Sequence, residues 1–355
     1  MAAASDRSEE LIAAVAAARE ANTPVCLRGG GSKAFYGHPC TAKLAIDTTV
    51  HRGIVSHEPT ELFVTVRCGT PLAELEQTLA DAGQMLSFEP PAFGINATVG
   101  GMLASGLSGP RRPWGGAVRD AVLGARIVNG RAEALRFGGQ VMKNVAGYDL
   151  SRLMAGAMGT LGLVLDVSLK VLPRPEQEKT RVFELDAAGA IARMIELQSR
   201  ALPLGALAWM DDRLYVRLSG GATGVNETAR RIGGDTLGKA DAFWADLREH
   251  RLRFFTDDGP PLWRLIVRPA SGPLALIEPQ IVDWGGAQRW VRTNAPADQI
   301  RAIAAAAGGH ATRFRGGTGE AFTPLETALR SLHDNVKQSL DPFGLFNPGR
   351  LFPES

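Results

Sequence analysis

The chain has 355 residues, with 39 Lys and Arg against 37 Asp and Glu, a formal charge of +2, three cysteines and 6% aromatic residues. Its length excludes a disulfide-stapled miniprotein, and the balanced charge without a basic run argues against a nucleic-acid-binding face. At roughly 100–200 residues per domain it should form two domains, and its 41 glycines exceed the ~7% usual in globular chains without a G-X-Y period, so the excess belongs to loops.

The N-terminus Ser5-Asp6-Arg7-Ser8-Glu9-Glu10 is charged ahead of its apolar stretch, unlike a secretory signal, and the longest apolar runs fall short of a bilayer span. A cytoplasmic protein is expected, with peripheral membrane association only through partners. Asp6 and Glu9 have the spacing of a capping box before an amphipathic helix carrying Leu11, Ile12, Val15 and Ala18. Val25 to Arg28 reads as a strand running into Gly29-Gly30-Gly31-Ser32, and Leu62 to Cys68 as another. Pro71 to Ala82 reads as a helix, and Met85 to Phe88 as a strand. Val122–Val128 and Ala132–Phe137 flank Asn129-Gly130 as a hairpin. Tyr148 to Ala157 reads as a helix and Leu163 to Leu172 as a strand, stopped at Pro173-Arg174-Pro175.

From Thr180 to His310 strands and helices alternate. Val182 to Leu185, Gly205 to Met210, Leu214 to Leu218, Trp263 to Arg268, Gln280 to Trp284 and Gln288 to Thr293 read as strands. Ala187 to Arg200, Asn226 to Ile232 and Ala297 to Ala307 read as helices. A last helix runs from Thr323 to Ser339. The domains expected are 1–175, 176–340, and a tail, 341–355, returning to the first. Cys26, Cys40 and Cys68 are an odd set without C-x-x-C spacing, which argues against zinc, iron–sulfur and disulfide frameworks, so they should be reduced and buried.

Three small-residue clusters could carry chemistry. Arg28-Gly29-Gly30-Gly31-Ser32 follows a strand, so its N–H groups can converge on phosphate oxygens, or it is a plain glycine turn. Gly29, Gly31 and Ala34 also fit G-x-G-x-x-A, but turn-rich Phe35-Tyr36-Gly37-His38-Pro39 stands where a Rossmann helix should begin. Ala97 to Gly106, preceded by Glu89-Pro90-Pro91, could lie against a pyrophosphate with Thr98 and Ser105 as donors, or be close helix–strand packing. Gly156 to Gly162 offers the same combination.

Taken in order, P-V-x-x-R-G-G-G-S, G-T-P-L-x-E-L, A-T-V-G-G-x-x-A-S-G-x-S-G-P, K-N-V-A-G-Y-D-L and G-T-L-G resemble the FAD-binding domain of the vanillyl-alcohol oxidase / p-cresol methylhydroxylase superfamily, from about Pro24 to Pro173. Within it, Ser108 to Trp114, Lys143 to Leu150 and Asp341 to Phe352 resemble the FAD-binding subunits of bacterial three-subunit glycolate oxidases. The resemblance implies an α+β fold, with an FAD-binding domain of two α+β subdomains and a smaller α+β cap. It also implies FAD, and partners in a larger FAD-linked subunit and an iron–sulfur subunit that together oxidise glycolate. By resemblance, Arg28, Gly29, Gly30, Gly31, Ser32, Thr98, Gly100 and Gly101 would hold the diphosphate. Ser105, Gly106 and Gly109, with Pro90 nearby, would lie along the ribityl chain and ring. Gly159, Thr160, Gly162 and Val164 would hold the adenine half, and Asn347 would reach the cofactor or close the domain interface.

The flavin-facing loops from Glu89 to Trp114 hold no His or Cys, so noncovalent FAD is expected. The chain also lacks the H-x-G-D-G-N-x-H segment of metal-using 2-hydroxy acid dehydrogenases, so no metal is expected and hydride removal is expected on a partner. His310 could be a base or a strand-end histidine. Arg111 and Arg112 could clamp a small carboxylate, face a partner or meet the flavin phosphate. Of Lys143, Asn144, Tyr148 and Asp149, Tyr148 or Lys143 could approach the flavin, or the group stabilises a turn. His51, His57, His250 and His333 are expected to have surface roles. The alternative functions are a noncatalytic FAD-stabilised scaffold and a stand-alone 2-hydroxy acid dehydrogenase.

Overall fold

The computed structural model describes residues 4–139, 149–276 and 280–352. Lys143, Asn144 and Tyr148 lie outside them. The chain divides into two compact units. The first holds 1–107, 117–174 and 324–355; the second holds 108–116 and 175–323. The main cut falls at the Pro173-Arg174-Pro175 punctuation. The other falls at 323/324 rather than 340/341, so the helix Thr327–Leu340 stands with the first unit.

In the first unit, the helix Ser8–Glu20 buries Leu11, Val15 and Ala18 on one face. Asp6 does not form the expected box with Glu9. Its carboxylate accepts from Ser8 N and Ser8 Oγ (3.0 and 2.6 Å), because Arg7 occupies the cap position. Strands β1 (Val25–Arg28) and β2 (Leu44–Asp47) pair in parallel. An antiparallel sheet follows from β3 (Ile54–Glu58), β4 (Phe63–Arg67), β6 (Val122–Val128), β7 (Ala134–Gly138) and β8 (Leu163–Lys170), ordered β3-β4-β8-β6-β7. The short β5 (Gln84–Met85) and β9 (Leu172–Pro173) make a separate pair.

The helix Leu72–Asp81 places Leu72, Leu75 and Leu79 in the core with no exposed surface, each burial stabilising by roughly 1.5–3 kcal/mol. The β6–β7 connection is five residues long rather than a tight Asn-Gly turn. Asn129 Oδ1 accepts from the N–H groups of Arg131 and Glu133, and Gly130 is needed because a Cβ there would lie 2.4 Å from Asp341 Oδ1. The helix read from Tyr148 to Ala157 is a single 3-10 turn, Ser151–Met154, within the described residues. Positive φ at Gly156, Met158 and Gly159 just beyond it does not suit a continuing helix.

The second unit is built on one eight-stranded sheet. Its strands are β10 (Gln177–Glu184), β11 (Leu204–Met210), β12 (Arg213–Gly220), β13 (Asp235–Thr236), β14 (Leu262–Ile266), β15 (Gln280–Asp283), β16 (Gln288–Arg292) and β17 (His310–Arg315). Their order is β13-β10-β12-β11-β15-β16-β14-β17. Both turn residues between β11 and β12, Asp211 and Asp212, have positive φ (49° and 55°), as a twisted two-residue hairpin requires. The helices Ala187–Gln198 and Ala222–Ile232 cover one end of the sheet, and Ala297–Ala306 packs its Ile300 and Ala304 with Leu265 and Val291. Mixed helix and strand content in both units gives the α+β fold expected.

Candidate functional site

In the first unit a cavity of about 540 Å³ opens beside the end of β1, within the size range of small-molecule sites. Its wall includes Arg28, the three glycines after it, Ser32 and Lys33. Thr98, Gly100, Gly101 and Ser105 come from the second glycine cluster, and Gly159, Gly162 and Val164 from the third. Asn347 and Arg350 reach it from the C-terminal segment. Three segments distant in sequence therefore meet at one cavity: the end of β1, the helix Val99–Ser105 with its cap Thr98, and the approach to β8.

The clusters contribute differently. The N–H groups of Gly29, Gly30, Gly31 and Ser32 donate to no acceptor among the described residues. A Cβ on Gly31, whose φ is +73°, would meet nothing within 4 Å. A Cβ on Gly30 would lie 1.4 Å from Asn96 O, and one on Gly29 2.5 Å from Thr98 Oγ1. Successive unused donors, an open face and no room for side chains behind make a cradle suited to a phosphate chain. The wall's charged side chains, Arg28, Lys33 and Arg350, are all basic.

The second cluster supplies closeness rather than donors. Val99 N donates to Thr70 O (2.9 Å), Gly100 N to Cys68 O (2.7 Å) and Gly101 N to Thr98 Oγ1 (3.1 Å). The main-chain N–H groups of Gly100 and Gly101 are thus already satisfied. A Cβ on Gly100 would crowd Cys68 O at 2.9 Å, so the cluster is close packing, and it also walls the cavity. Ser105 Oγ bonds Met102 O (3.1 Å).

Asn347 has both ends of its amide engaged. Its Oδ1 accepts from Leu27 N (2.6 Å) and its Nδ2 donates to Met158 O (2.7 Å), so it ties the first cluster to the third. Four other expected residues do not line the cavity. Pro90 is buried. Gly106 caps its helix at φ +62°, against Gly156. Thr160 Oγ1 bonds Ala157 O (2.7 Å). Gly109 belongs to the second unit, where its carbonyl accepts from Trp284 Nε1 (2.9 Å).

The cysteine expectation is corrected. Cys26 and Cys40 form a disulfide, with Cα atoms 6.1 Å apart, and both line the cavity. Nothing in their spacing signals the pair; the excursion of the chain after β1 and its return toward β2 bring them together. Cys68 is a buried free thiol on the same wall, its pKa pushed up by burial and by the neighbouring Asp166. Lys33 and Arg350, also on the wall, were legible only as neighbours of the glycine run and of the Asn-Pro-Gly segment.

The expected surface roles fail for two histidines. His51 is 1% exposed: its Nδ1 accepts from Arg7 N (3.0 Å), so Nε2 carries the proton and donates to Asp166 Oδ1 (3.2 Å). His250 stacks on Phe255 at 3.9 Å, and burial, reinforced by Arg315, Arg264 and Arg292, pushes its pKa well below the usual imidazole value. His57 bonds Gln84 Oε1 (2.8 Å), and His333 is exposed beside Phe352.

The weak catalytic candidates lie in the second unit. Arg111 pairs with Glu178 and donates to Ser219 Oγ (2.9 Å), so its fork is already engaged. Arg112 stacks over Trp284 at 4.5 Å. His310 begins β17, its pKa lowered by burial and Arg264. Asp149 pairs with Arg152 (2.9 Å). Among the described residues no three His, Cys, Asp or Glu group as a metal site, and no helix is long and apolar enough to cross a membrane.

Residues 2–138 match the FAD binding domain family. Over 350 residues the chain is 48% identical to glycolate oxidase subunit GlcE of Escherichia coli (strain K12), covering 98% of each chain. The chain belongs to the GlcE family. It is also 30% identical over 177 residues to glycolate oxidase subunit GlcD of Bacillus subtilis (strain 168), across 50% of this chain and 37% of that one. Alkyldihydroxyacetonephosphate synthase superposes with a TM-score of 0.67 at 16% identity, covering 96% of this chain and 74% of its own, which shows the fold alone. The cofactor of this GlcE-family chain is FAD, and the N–H groups of Gly29 to Ser32, which donate to no acceptor among the described residues, suit a diphosphate.

Proposed function

We propose that this chain is the FAD-holding subunit of a glycolate oxidase. In this reading it works beside a larger FAD-linked subunit and an iron–sulfur subunit, on the cytoplasmic side of the cell. The full-length match to GlcE carries the assignment, and the Gly29–Ser32 cradle supports it. When bound, FAD supplies a group able to take up and pass on two electrons. Gly29 to Ser32 hold the diphosphate, and Arg28 and Lys33 offset its charge. Gly100 and Gly101 allow close approach, Gly159, Gly162 and Val164 line the adenine end, and Asn347 fixes the spacing between the clusters. FAD is held noncovalently, because Cys26 and Cys40 are bonded to each other and Cys68 is a protonated, buried thiol.

Removal of the substrate hydride falls to the partner. Arg111 is committed to Glu178 and Ser219, which leaves no open fork there for a carboxylate and disfavours a stand-alone dehydrogenase. The test is the visible spectrum of the purified chain before and after anaerobic glycolate, followed by acid precipitation. Flavin bands that stay oxidised with glycolate, and flavin released by acid, are expected. Bleaching by glycolate would establish an autonomous enzyme. A colourless chain that also rejects added FAD would leave a scaffold without cofactor.

A further inference from the structure

We propose that the Cys26–Cys40 disulfide is a redox-sensitive latch on the FAD cradle. This inference rests on the cofactor reading above. Cys26 lies in β1, Cys40 follows fourteen residues later, and both sulfur-bearing residues line the cavity. Between them runs the whole Arg28–Lys33 segment. Among the described residues the N–H groups of Gly29 to Ser32 donate to no acceptor, so the segment is held by the packing of Gly29 and Gly30 on Thr98 and Asn96, by the bond from Ala34 N to Gly31 O (3.0 Å), by its ends and by what clamps its far side.

Those clamps can be named. Arg350 donates to the carbonyls of His38 (2.5 Å), Ala34 (3.2 Å) and Lys33 (3.3 Å), and Lys33 Nζ donates to Ala92 O (3.1 Å). All are hydrogen bonds; the disulfide is the covalent closure of the ring. Opening it removes the covalent tie between β1 and the far end of this loop, so the open stretch around Gly31 and Ser32 gains freedom that FAD must then remove as it binds. By linkage, bound FAD in turn makes the disulfide harder to reduce.

The chemistry is thiol–disulfide exchange with a dithiol reductant. A thiolate of the reductant attacks Sγ of Cys40, the less buried of the pair, and the Cys26 thiolate leaves. The reductant's second thiol then attacks the mixed disulfide and releases Cys40. Two electrons and two protons pass to the protein as two thiols, and the reductant leaves as its disulfide.

The test uses the full chain stripped of FAD and titrated with FAD by flavin fluorescence quenching, in air and after reduction with dithiothreitol. Reduction should raise the FAD dissociation constant at least about tenfold, given the freedom restored to a ring of this length. The Cys26→Ser/Cys40→Ser double variant should bind as weakly as the reduced protein and ignore dithiothreitol. Equal dissociation constants for oxidised and reduced wild type would overturn the latch and leave the FAD reading intact. Three alkylatable thiols in the denatured, air-purified chain, instead of one, would also overturn it. Failure to bind FAD in either state would overturn the cofactor reading itself, and the latch with it. The wild-type comparison decides the matter even if the double variant folds poorly.

Discussion

At the scale of single residues, glycines with similar sequence surroundings carry different constraints. Gly30 is confined, because a methyl group there would overlap Asn96 O, so Gly30→Ala should yield little folded protein and no retained flavin. Gly31 faces open space but has positive φ, so Gly31→Ala should fold at a cost of about 1 kcal/mol and, if the proposed diphosphate cradle holds, should weaken FAD binding. Unfolding midpoints and FAD titration of the two variants would separate these effects, and equal behaviour would count against the cradle geometry. His250 carries a pH prediction. Its pKa is depressed in the folded protein, so below about 6.5 the unfolded chain takes up a proton that the folded one refuses. Stability is fully present above that pH and falls as pH drops toward the depressed value, by up to about 1.4 kcal/mol per pH unit. In His250→Phe that contribution should vanish, and urea midpoints from pH 7 to 5 should decline less steeply than in wild type.

At the scale of elements, the C-terminal segment holds the cavity together. Asp341 is 1% exposed; its carboxylate accepts from Leu345 N (3.0 Å), Phe346 N (2.9 Å) and Lys337 Nζ (2.5 Å). Lys337 in turn donates to Thr160 O (2.6 Å). Removing this carboxylate leaves a partly buried cation and two N–H groups without it, so Asp341→Ala should cost roughly 3 kcal/mol by urea unfolding. Truncation after Leu340 removes Asn347 and Arg350 together, and should lose flavin even where folded protein is recovered. A truncated chain with a full flavin complement would refute the role given to Asn347. The resemblance over Asp341 to Phe352 singled out Asn347 as reaching the cofactor or closing the domain interface; that it ties Leu27 to Met158 was not legible, because those partners come from distant parts of the chain.

At the scale of the whole molecule, the match to GlcE covers nearly the full length of both chains, while GlcD is matched over half of this one. In the proposed assembly, co-expression with GlcD and the proposed iron–sulfur subunit should return all three from a tag on this chain alone, and glycolate oxidation should require the set. A chain that elutes singly under mild salt while the other two remain active together would remove it from the assembly.

Periodicity and turn chemistry were enough to mark most strands and helices, since alternating burial and helical stripes are local properties. The ordered motifs marked the FAD domain through their resemblance to a known family, whereas the glycines themselves left a phosphate cradle and a plain turn both open. Long-range placement was not local. The Cys26–Cys40 bond, the burial of His51 and His250, the engagement of Arg111 by Glu178 and Ser219, and the departure of Gly109 into the second unit each depend on which remote segments fold alongside. Residue type fixed what each group could do, and tertiary packing decided which partner had already claimed it.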